Sequence, residues 1–142
     1  MNSRIHIYEL GFIFLSGSFI YSLIEIIFRG HTHWSMTVLG GISGAVLYLI
    51  DLGRETLALK AFAGAMMITA LEMVTGVIDN IIMKWSVWDY SRVPFNILGQ
   101  ICLPFSAAWF LITIPVDFLC RGLNRAFGGT GSSNTLPENS LL

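Results

Sequence analysis

The chain has 142 residues, of which 54% are hydrophobic and 12% are charged. A soluble domain carries about 25% charged residues, so the composition excludes an ordinary water-soluble surface and indicates a protein surrounded by lipid. The net charge of −1 and the lack of a basic cluster, a zinc-finger spacing or an RNA-binding signature exclude a nucleic-acid partner.

Four apolar stretches are long enough, or nearly so, to cross a bilayer core of about 30 Å as helices. They lie near residues 7–28, 34–52, 59–83 and 97–119. We therefore predict an all-α integral membrane protein, a four-helix transmembrane bundle with both termini on the same side. Residues 1–127 form its single domain. The tail 128–142 is rich in glycine, serine and asparagine and is predicted to be disordered.

The basic residues between the predicted helices indicate the orientation. One side holds Arg4, Arg54, Lys60, Arg121 and Arg125, and the other holds Arg29, Lys84 and Arg92. Because basic residues accumulate on the cytoplasmic side of a membrane, this excess predicts cytoplasmic termini. We expect the plasma membrane to be the location.

The first two predicted helices each carry a stripe of small or polar residues. In the first, Ser18, Glu25 and Arg29 lie on one face. In the second, Gly40 and Gly44 have the small-xxx-small spacing that lets two helix backbones approach closely. We interpret this pair as packing within the chain, and a contact between two copies is the alternative.

Glu72 lies near the middle of the third predicted helix. A charge at that depth costs about 2.5–3.5 kcal/mol on insertion scales. Such a carboxyl group is therefore paired, protonated or in contact with a wet cavity. We predict that Glu72 binds a cation, a proton or a polar solute. The alternative is a structural role, in which a hydrogen bond from Glu72 ties helices together.

Two further acids extend this prediction. Asp79 follows Glu72 by seven residues on the same face of the predicted helix, roughly 10 Å along the axis. The first and third helices run in the same direction, so Glu25 would lie at a depth similar to that of Asp79. We predict a funnel of these three carboxylates that binds a ligand or an ion. For Glu25 and Asp79, ordinary interfacial carboxylates are the alternative. His31 and His33 lack accompanying ligands, so no metal site is predicted, and no cofactor is expected.

The loop before the fourth helix is rich in aromatic residues. It contains Trp85, Trp88, Asp89 and Tyr90. Aromatic residues commonly mark the membrane–water interface, which is our main interpretation, and an ordered lid over the carboxylates is the alternative. Asn96 follows a proline and is predicted to be the N-cap of the fourth helix. Trp109, on the polar face of that helix, is predicted to have a structural role.

Three motifs lie in the second half of the chain. They are E-x-x-T-G (72–76), W-D-Y-S (88–91) and P-F-N-I-x-G-Q-I-C-L (94–103). With Ser106 and Trp109 they resemble the type IV ABC-transporter permease family of small membrane proteins, and Glu25 resembles a glutamate of that family. Residues 29–41 depart from the family, whose members have a proline- and cysteine-containing stretch there. The resemblance implies a transport permease and supplies no catalytic residues.

We predict a permease-like transport component that forms a homo-oligomer. The sequence has no G-x-x-x-x-G-K-[ST] loop, so an ATP-driven role requires a separate ATPase partner. One alternative is a non-transporting accessory or assembly protein whose buried acids pair with a partner. An interfacial lipid-acting enzyme is less favoured, because the G-x-S-x-G and H-E-x-x-H motifs are absent. A cavity lined by Glu25 and Glu72 would favour transport, and a closed bundle with an exposed small-residue groove would favour assembly.

Overall fold

The computed structural model describes residues 7–129. Helix α1 spans Ile7–Arg29, α2 spans Trp34–Asp51, α3 spans Leu57–Gly76 and α4 spans Leu103–Gly129. A π-helical segment, Val77–Ile82, continues α3, and the two-residue strands β1 (Asn96–Ile97) and β2 (Ile101–Cys102) form an antiparallel hairpin before α4.

The helices are long and apolar enough to cross a membrane. The prediction of an all-α integral membrane protein with four membrane-spanning helices and both termini on one side is confirmed. We call the side with the termini the terminal end and the opposite side the loop end. The tail that was predicted to be disordered, 128–142, lies outside the described residues apart from the two glycines that end α4.

Local sequence signals set where the helices begin and end. Gly30 follows α1 with a φ of 77°, a left-handed conformation that glycine adopts at no steric cost. His33 is the N-cap of α2, and its ring nitrogen accepts from the backbone N–H of Ser35 at 3.4 Å. Thr56 caps α3 by accepting from the N–H of Leu59 at 3.4 Å. These signals bound the short connections that join α1 to α2 and α2 to α3.

Helix α4 begins at Leu103, later than the predicted start at residue 97. The prediction that Asn96 is its N-cap is wrong, because Asn96 belongs to β1. Its side chain accepts from the N–H of Gly99 at 3.2 Å and donates to the carbonyl of Val93 at 2.8 Å. An N-cap side chain likewise accepts from the backbone N–H three residues later, so the hydrogen bond from Gly99 to Asn96 resembles that of an N-cap. Here, however, Leu98 and Gly99 have positive φ, 52° and 69°, and the backbone turns into a hairpin.

Glycines bring α1 and α2 into close contact. A Cβ atom on Gly40 would lie 2.3 Å from the Cβ of Tyr21, and a Cβ on Gly17 would lie 2.6 Å from the carbonyl oxygen of Gly40. At Gly44 a Cβ would lie 3.1 Å from the Cα of Gly17. Side chains at these positions would force the helices apart. The stripe of Gly40 and Gly44 therefore lies against α1 within the chain.

Helices α1 and α4 are joined by side chains and are not packed closely against each other. α1 packs mainly on α2, α4 packs mainly on α3, and α2 contacts both α3 and α4. Where α1 and α4 face one another, the rings of Tyr21 and Trp109 stack with centroids 5.2 Å apart. Nearer the terminal end, Phe12 and Phe127 meet edge to face at 5.9 Å. The bundle consequently has a gap between its first and last helices.

The outward surface of the bundle is apolar. Leu15, Phe19 and Leu111 are all more than 60% exposed, an arrangement that suits contact with lipid and would be unfavourable in water. Inside, one buried cluster forms around Tyr21 and Trp109, and a smaller cluster includes Ile13, Tyr48 and Cys120. Buried charged residues, among them Glu25 and Glu72, lie among these side chains.

Candidate functional site

Glu72 is buried within the first of these clusters, with 4% of its surface exposed. The hydroxyl of Tyr21 donates to its Oε1 at 2.8 Å. The indole N–H of Trp109 is within reach of the same carboxyl group, although it makes no hydrogen bond of standard geometry within residues 7–129. No basic side chain in that range lies within salt-bridge distance of Glu72. Its neighbours are therefore neutral donors on α1 and α4.

Glu25 and Arg29 link α1 to the loop that precedes α4. Arg29 donates to Glu25 Oε2 at 3.3 Å and also to the hydroxyl of Tyr90. The guanidinium carbon lies 5.3 Å from the ring centroid of Tyr90 and 5.8 Å from that of Trp88. A cation over aromatic faces at these distances is stabilised by the charge distribution of the rings. Arg29 is thus held by one acid and two rings.

The hydroxyl of Tyr90 responds to the charges around it. Burial raises the pKa of Tyr90 well above its usual range, Glu72 and Glu25 raise it further, and Arg29 lowers it. The phenol is therefore neutral at physiological pH. Glu25, Glu72 and Arg29 are all close enough to Tyr90 to act on it. We call these four residues, together with Tyr21 and Trp109, the loop-end cluster.

Asp79 belongs to a different group of residues at the start of α2. It is 3% exposed and accepts a hydrogen bond from the hydroxyl of Ser35, which lies 2.7 Å from the Nδ1 atom of His33. Asp79 is in the π-helical segment, where the spacing of side chains differs from that of the α-helix used to predict the funnel. The structure thus brings Glu25 and Glu72 near Tyr90 and places Asp79 against α2.

Two of the loop aromatics are buried in the bundle. Trp88 and Tyr90 are each 6% exposed. The indole of Trp88 donates to the carbonyl of Gln100 at 2.9 Å, and the ring of Tyr90 stacks on Phe105 with centroids 4.7 Å apart. These two rings therefore pack within the protein. Trp85 is partly exposed and lies beside the ring of His33.

Residues 83–102 form an ordered cap over the loop end, and we call this segment the cap. Asn80 accepts from the N–H of Val87 at 2.6 Å and donates to Gln100 Oε1 at 2.8 Å. Asp89, which is exposed, accepts from the N–H of Ser91 at 2.8 Å, and this hydrogen bond lowers the pKa of Asp89. Four non-glycine residues of the cap have positive φ: Lys84, Ser86, Phe95 and Leu98. Because such a backbone conformation persists only where the surrounding contacts fix it, the conformation of the cap is held by its contacts.

A cavity of about 160 Å³ lies between α1 and α4 at the loop end. Its polar lining comes from Glu25, Arg29, Tyr90 and Trp109, and the rest is apolar. Glu72 does not line this cavity. The volume exceeds that of several water molecules at about 30 Å³ each, so a small polar group fits beside Glu25.

A second set of buried charges lies at the terminal end. Lys60 Nζ is 2.6 Å from the carbonyl oxygen of Asp51, 3.3 Å from Asp51 Oδ1 and 4.0 Å from Asp117 Oδ1. Arg121 is 3.5 Å from Asp51 Oδ1 and 2.8 Å from Asp117 Oδ2. The pair of Asp117 and Arg121 follows from i,i+4 spacing, but sequence reasoning missed Asp51 and Lys60. We call these four residues the terminal-end network.

Sequence reasoning also missed Tyr21, the hydrogen-bond partner of Glu72. A usable signal was present, because Tyr21 lies four residues before Glu25 and therefore on the same face of α1. Its aromatic character was compatible with packing alone, so the sequence did not reveal that its hydroxyl would reach an acid on α3.

A comparison with family models identifies the family of the chain. Residues 10–127 match the family described as "Putative ABC-transporter type IV", and the chain belongs to that family. No curated protein matches the chain. No solved structure matches it either. The predicted resemblance is confirmed, and together with the four membrane-spanning helices it identifies a membrane transport-related protein.

Proposed function

We propose that the protein is the transmembrane component of a transport system and binds a cation, a proton or a polar solute at Glu25 and Glu72. The observation that carries this proposal is the imbalance of buried charge in the loop-end cluster. Glu25 and Glu72 are both buried, and Arg29, which pairs with Glu25 and donates to Tyr90, is the one basic residue of the cluster. Ionisable groups inside a membrane are costly, and those that persist mark ion or substrate pathways. A bound cation or proton would restore neutrality.

The cavity between α1 and α4 supports this function because Glu25 and Arg29 line it, so a ligand in the cavity could contact both side chains.

Transport also needs an energy source. The sequence has no phosphate-binding loop for ATP, so an ATP-driven cycle would use a separate ATPase. Four helices make a thin wall, so the working form is proposed to be a homo-oligomer. The excess of basic residues at the terminal end favours a cytoplasmic position for both termini, in the plasma membrane.

One observation favours a second candidate, the non-transporting assembly role. Glu72 does not line the cavity, and its hydrogen bond with Tyr21 is what a purely structural acid would make. The small-residue stripe argues in the other direction. Gly40 and Gly44 lie against Gly17 and Tyr21 of α1, so they are not free to receive the helix of a partner.

The variant Glu72→Gln tests the proposed function. Glutamine has nearly the same shape and can still accept from Tyr21, so we expect the free energy of unfolding to change by less than about 1 kcal/mol. A ligand at 100 times its Kd should stabilise the wild type by about 2.7 kcal/mol. We expect the variant to lose that gain. The measurement is thermal unfolding of both purified proteins with inorganic cations, amines, amino acids and soluble headgroup phosphoesters.

The matched control is Glu55→Gln, which changes an exposed carboxyl group in the turn before α3. It should respond to every ligand as the wild type does. Equal stabilisation of wild type and Glu72→Gln by each ligand that binds would contradict the proposed role of Glu72. It would favour the assembly role.

A further inference from the structure

The gap between α1 and α4 forms a groove that opens on the lipid-facing surface. Two cavities lie along it, one of about 160 Å³ at the loop end and one of about 60 Å³ deeper in the bundle. Ile24, Trp109 and Ile112 line both cavities, so the two are adjoining parts of one groove. Phe28 and Ile20, at its edge, are exposed.

The chemistry of the groove changes along its length. The lining of the deeper part is mostly apolar, as at Ile20 and Val116, and its polar groups include three hydroxyls, which belong to Tyr21, Ser43 and Thr113. The part at the loop end adds the charged groups of Glu25 and Arg29. A bilayer leaflet changes in the same direction, from hydrocarbon at its centre to polar headgroups at its surface.

The length of the groove fits one leaflet. Its lining on α1 extends from Gly17 to Arg29, which is roughly 18 Å at 1.5 Å per residue. Half of a bilayer core is about 15 Å. One acyl chain can therefore lie along the groove while its headgroup reaches Arg29.

The charges at the loop end select the headgroup. The guanidinium of Arg29 can donate to a phosphate. The carboxylate of Glu25, with the rings of Tyr90 and Trp109 beside it, suits an ammonium group. A headgroup with a phosphate and no ammonium would leave its net negative charge facing Glu25 and the nearby Glu72.

We propose that the groove between α1 and α4 binds one phospholipid whose headgroup carries both a phosphate and an ammonium group. One of its two acyl chains lies between Gly17 and Val116, and its headgroup contacts Arg29 and Glu25. This inference rests on the proposed function, since it assigns the cationic group at Glu25, one of the two acids of that site, to the ammonium of a zwitterionic phospholipid.

Lipid binding to the purified full-length protein tests the inference. The probes are dioleoyl phosphatidylethanolamine, dioleoyl phosphatidylglycerol, which lacks the ammonium, and dioleoylglycerol, which lacks both the phosphate and the ammonium. Native mass spectrometry from detergent counts bound lipids and compares affinities. We expect one phosphatidylethanolamine per chain, bound about tenfold more tightly than either other lipid. Equal binding of the three lipids would overturn the inference.

A matched pair of variants separates the groove from the general lipid surface. Ala108 lines the groove, so Ala108→Phe fills it and should weaken phosphatidylethanolamine binding about tenfold or more. Ala107, the preceding residue, is exposed, and Ala107→Phe should leave binding unchanged. Equal effects of the two variants would contradict the groove as the site. The lipid selectivity of the wild type decides the question if Ala108→Phe does not fold.

The inference and the proposed function can fail separately. If soluble ligands stabilise the protein through Glu72 while the three lipids bind alike, only the lipid assignment is overturned. If phosphatidylethanolamine binds selectively while Glu72→Gln leaves every ligand-induced shift unchanged, the groove assignment stands and the role of Glu72 is overturned. Glu25→Gln should reduce the preference for phosphatidylethanolamine over phosphatidylglycerol, and an unchanged preference would contradict the contact with the ammonium.

Discussion

The two ends of the bundle both bury charges, but they pair their acids with bases differently. At the terminal end, two acids face two bases, and each acid lies within 4.0 Å of both bases. At the loop end, Glu25 and Glu72 are accompanied by Arg29, which contacts Glu25. Glu72 is held by the neutral hydroxyl of Tyr21.

This difference shows that burial of a charged group does not by itself indicate function. The four residues of the terminal-end network balance one another in charge and connect α2, α3 and α4, and a further buried acid, Glu9, lies near the same end. The loop-end cluster has an excess acid and adjoins a cavity. We infer that the first group stabilises the fold and that the second is arranged for a ligand.

The largest expected effect comes from breaking the balanced end. Lys60→Met leaves Asp51 and Asp117 with Arg121 as their remaining base. Removing one partner of a buried ion pair costs about 3–5 kcal/mol, so we expect a loss of stability of that size. Unfolding of the purified protein by titration with a denaturing detergent measures it.

The exposed residue Arg54, at the same end, provides the control. Arg54→Met should change the free energy of unfolding by less than about 0.5 kcal/mol. If Lys60→Met destabilises the protein no more than Glu72→Gln does, the distinction between the two ends is wrong.

A smaller effect is expected from Tyr21→Phe at the loop end. This change removes the donor to Glu72 and keeps the ring that stacks on Trp109. The lost hydrogen bond should cost about 1 kcal/mol, and the ligand response in thermal unfolding should change with it. An unchanged ligand response in Tyr21→Phe would show that the orientation of Glu72 does not depend on its donor.

The smallest effect concerns the cap under acid. The N–H of Ser91 lowers the pKa of Asp89, so the ionised carboxylate stabilises the folded cap. This contribution is complete above the unfolded pKa of about 3.9 and disappears as the pH falls through the lowered folded value. Hydrogen exchange of the Ser91 amide should therefore show weaker protection at acidic pH. Asp89→Asn, which can still accept this hydrogen bond, should remove the pH dependence of that protection, and its persistence in the variant would contradict the assignment.

The helices were predictable because a bilayer demands long apolar segments, and such segments are legible without any tertiary information. Glu72 was predictable as a buried acid for the same reason, since it interrupts one of these segments. The pair of Asp117 and Arg121 was predictable because i,i+4 neighbours meet on any helix.

The remaining features depend on contacts between distant residues. The burial of Trp88 and Tyr90 within the protein could not be predicted, because composition does not show which aromatic residues of a loop pack against the helices. Asp79 was expected on the same helix face as Glu72, roughly 10 Å further along the axis, because the π-helical segment that contains Asp79 could not be foreseen. Lys60 meets Asp51 only through the pairing of α2 with α3, which apolar patterning does not specify.

The close contact of Gly40 with Tyr21 has a consequence for genetic work on this protein. The space that a Cβ atom of Gly40 would occupy lies 2.3 Å from the Cβ of Tyr21, and the hydroxyl of that tyrosine orients Glu72. Gly40 carries no polar side chain, yet any larger residue there displaces the donor of a carboxyl group on another helix. In a screen for loss of activity, Gly40 would score with the acids of the site, and its phenotype alone would misidentify it as a binding residue.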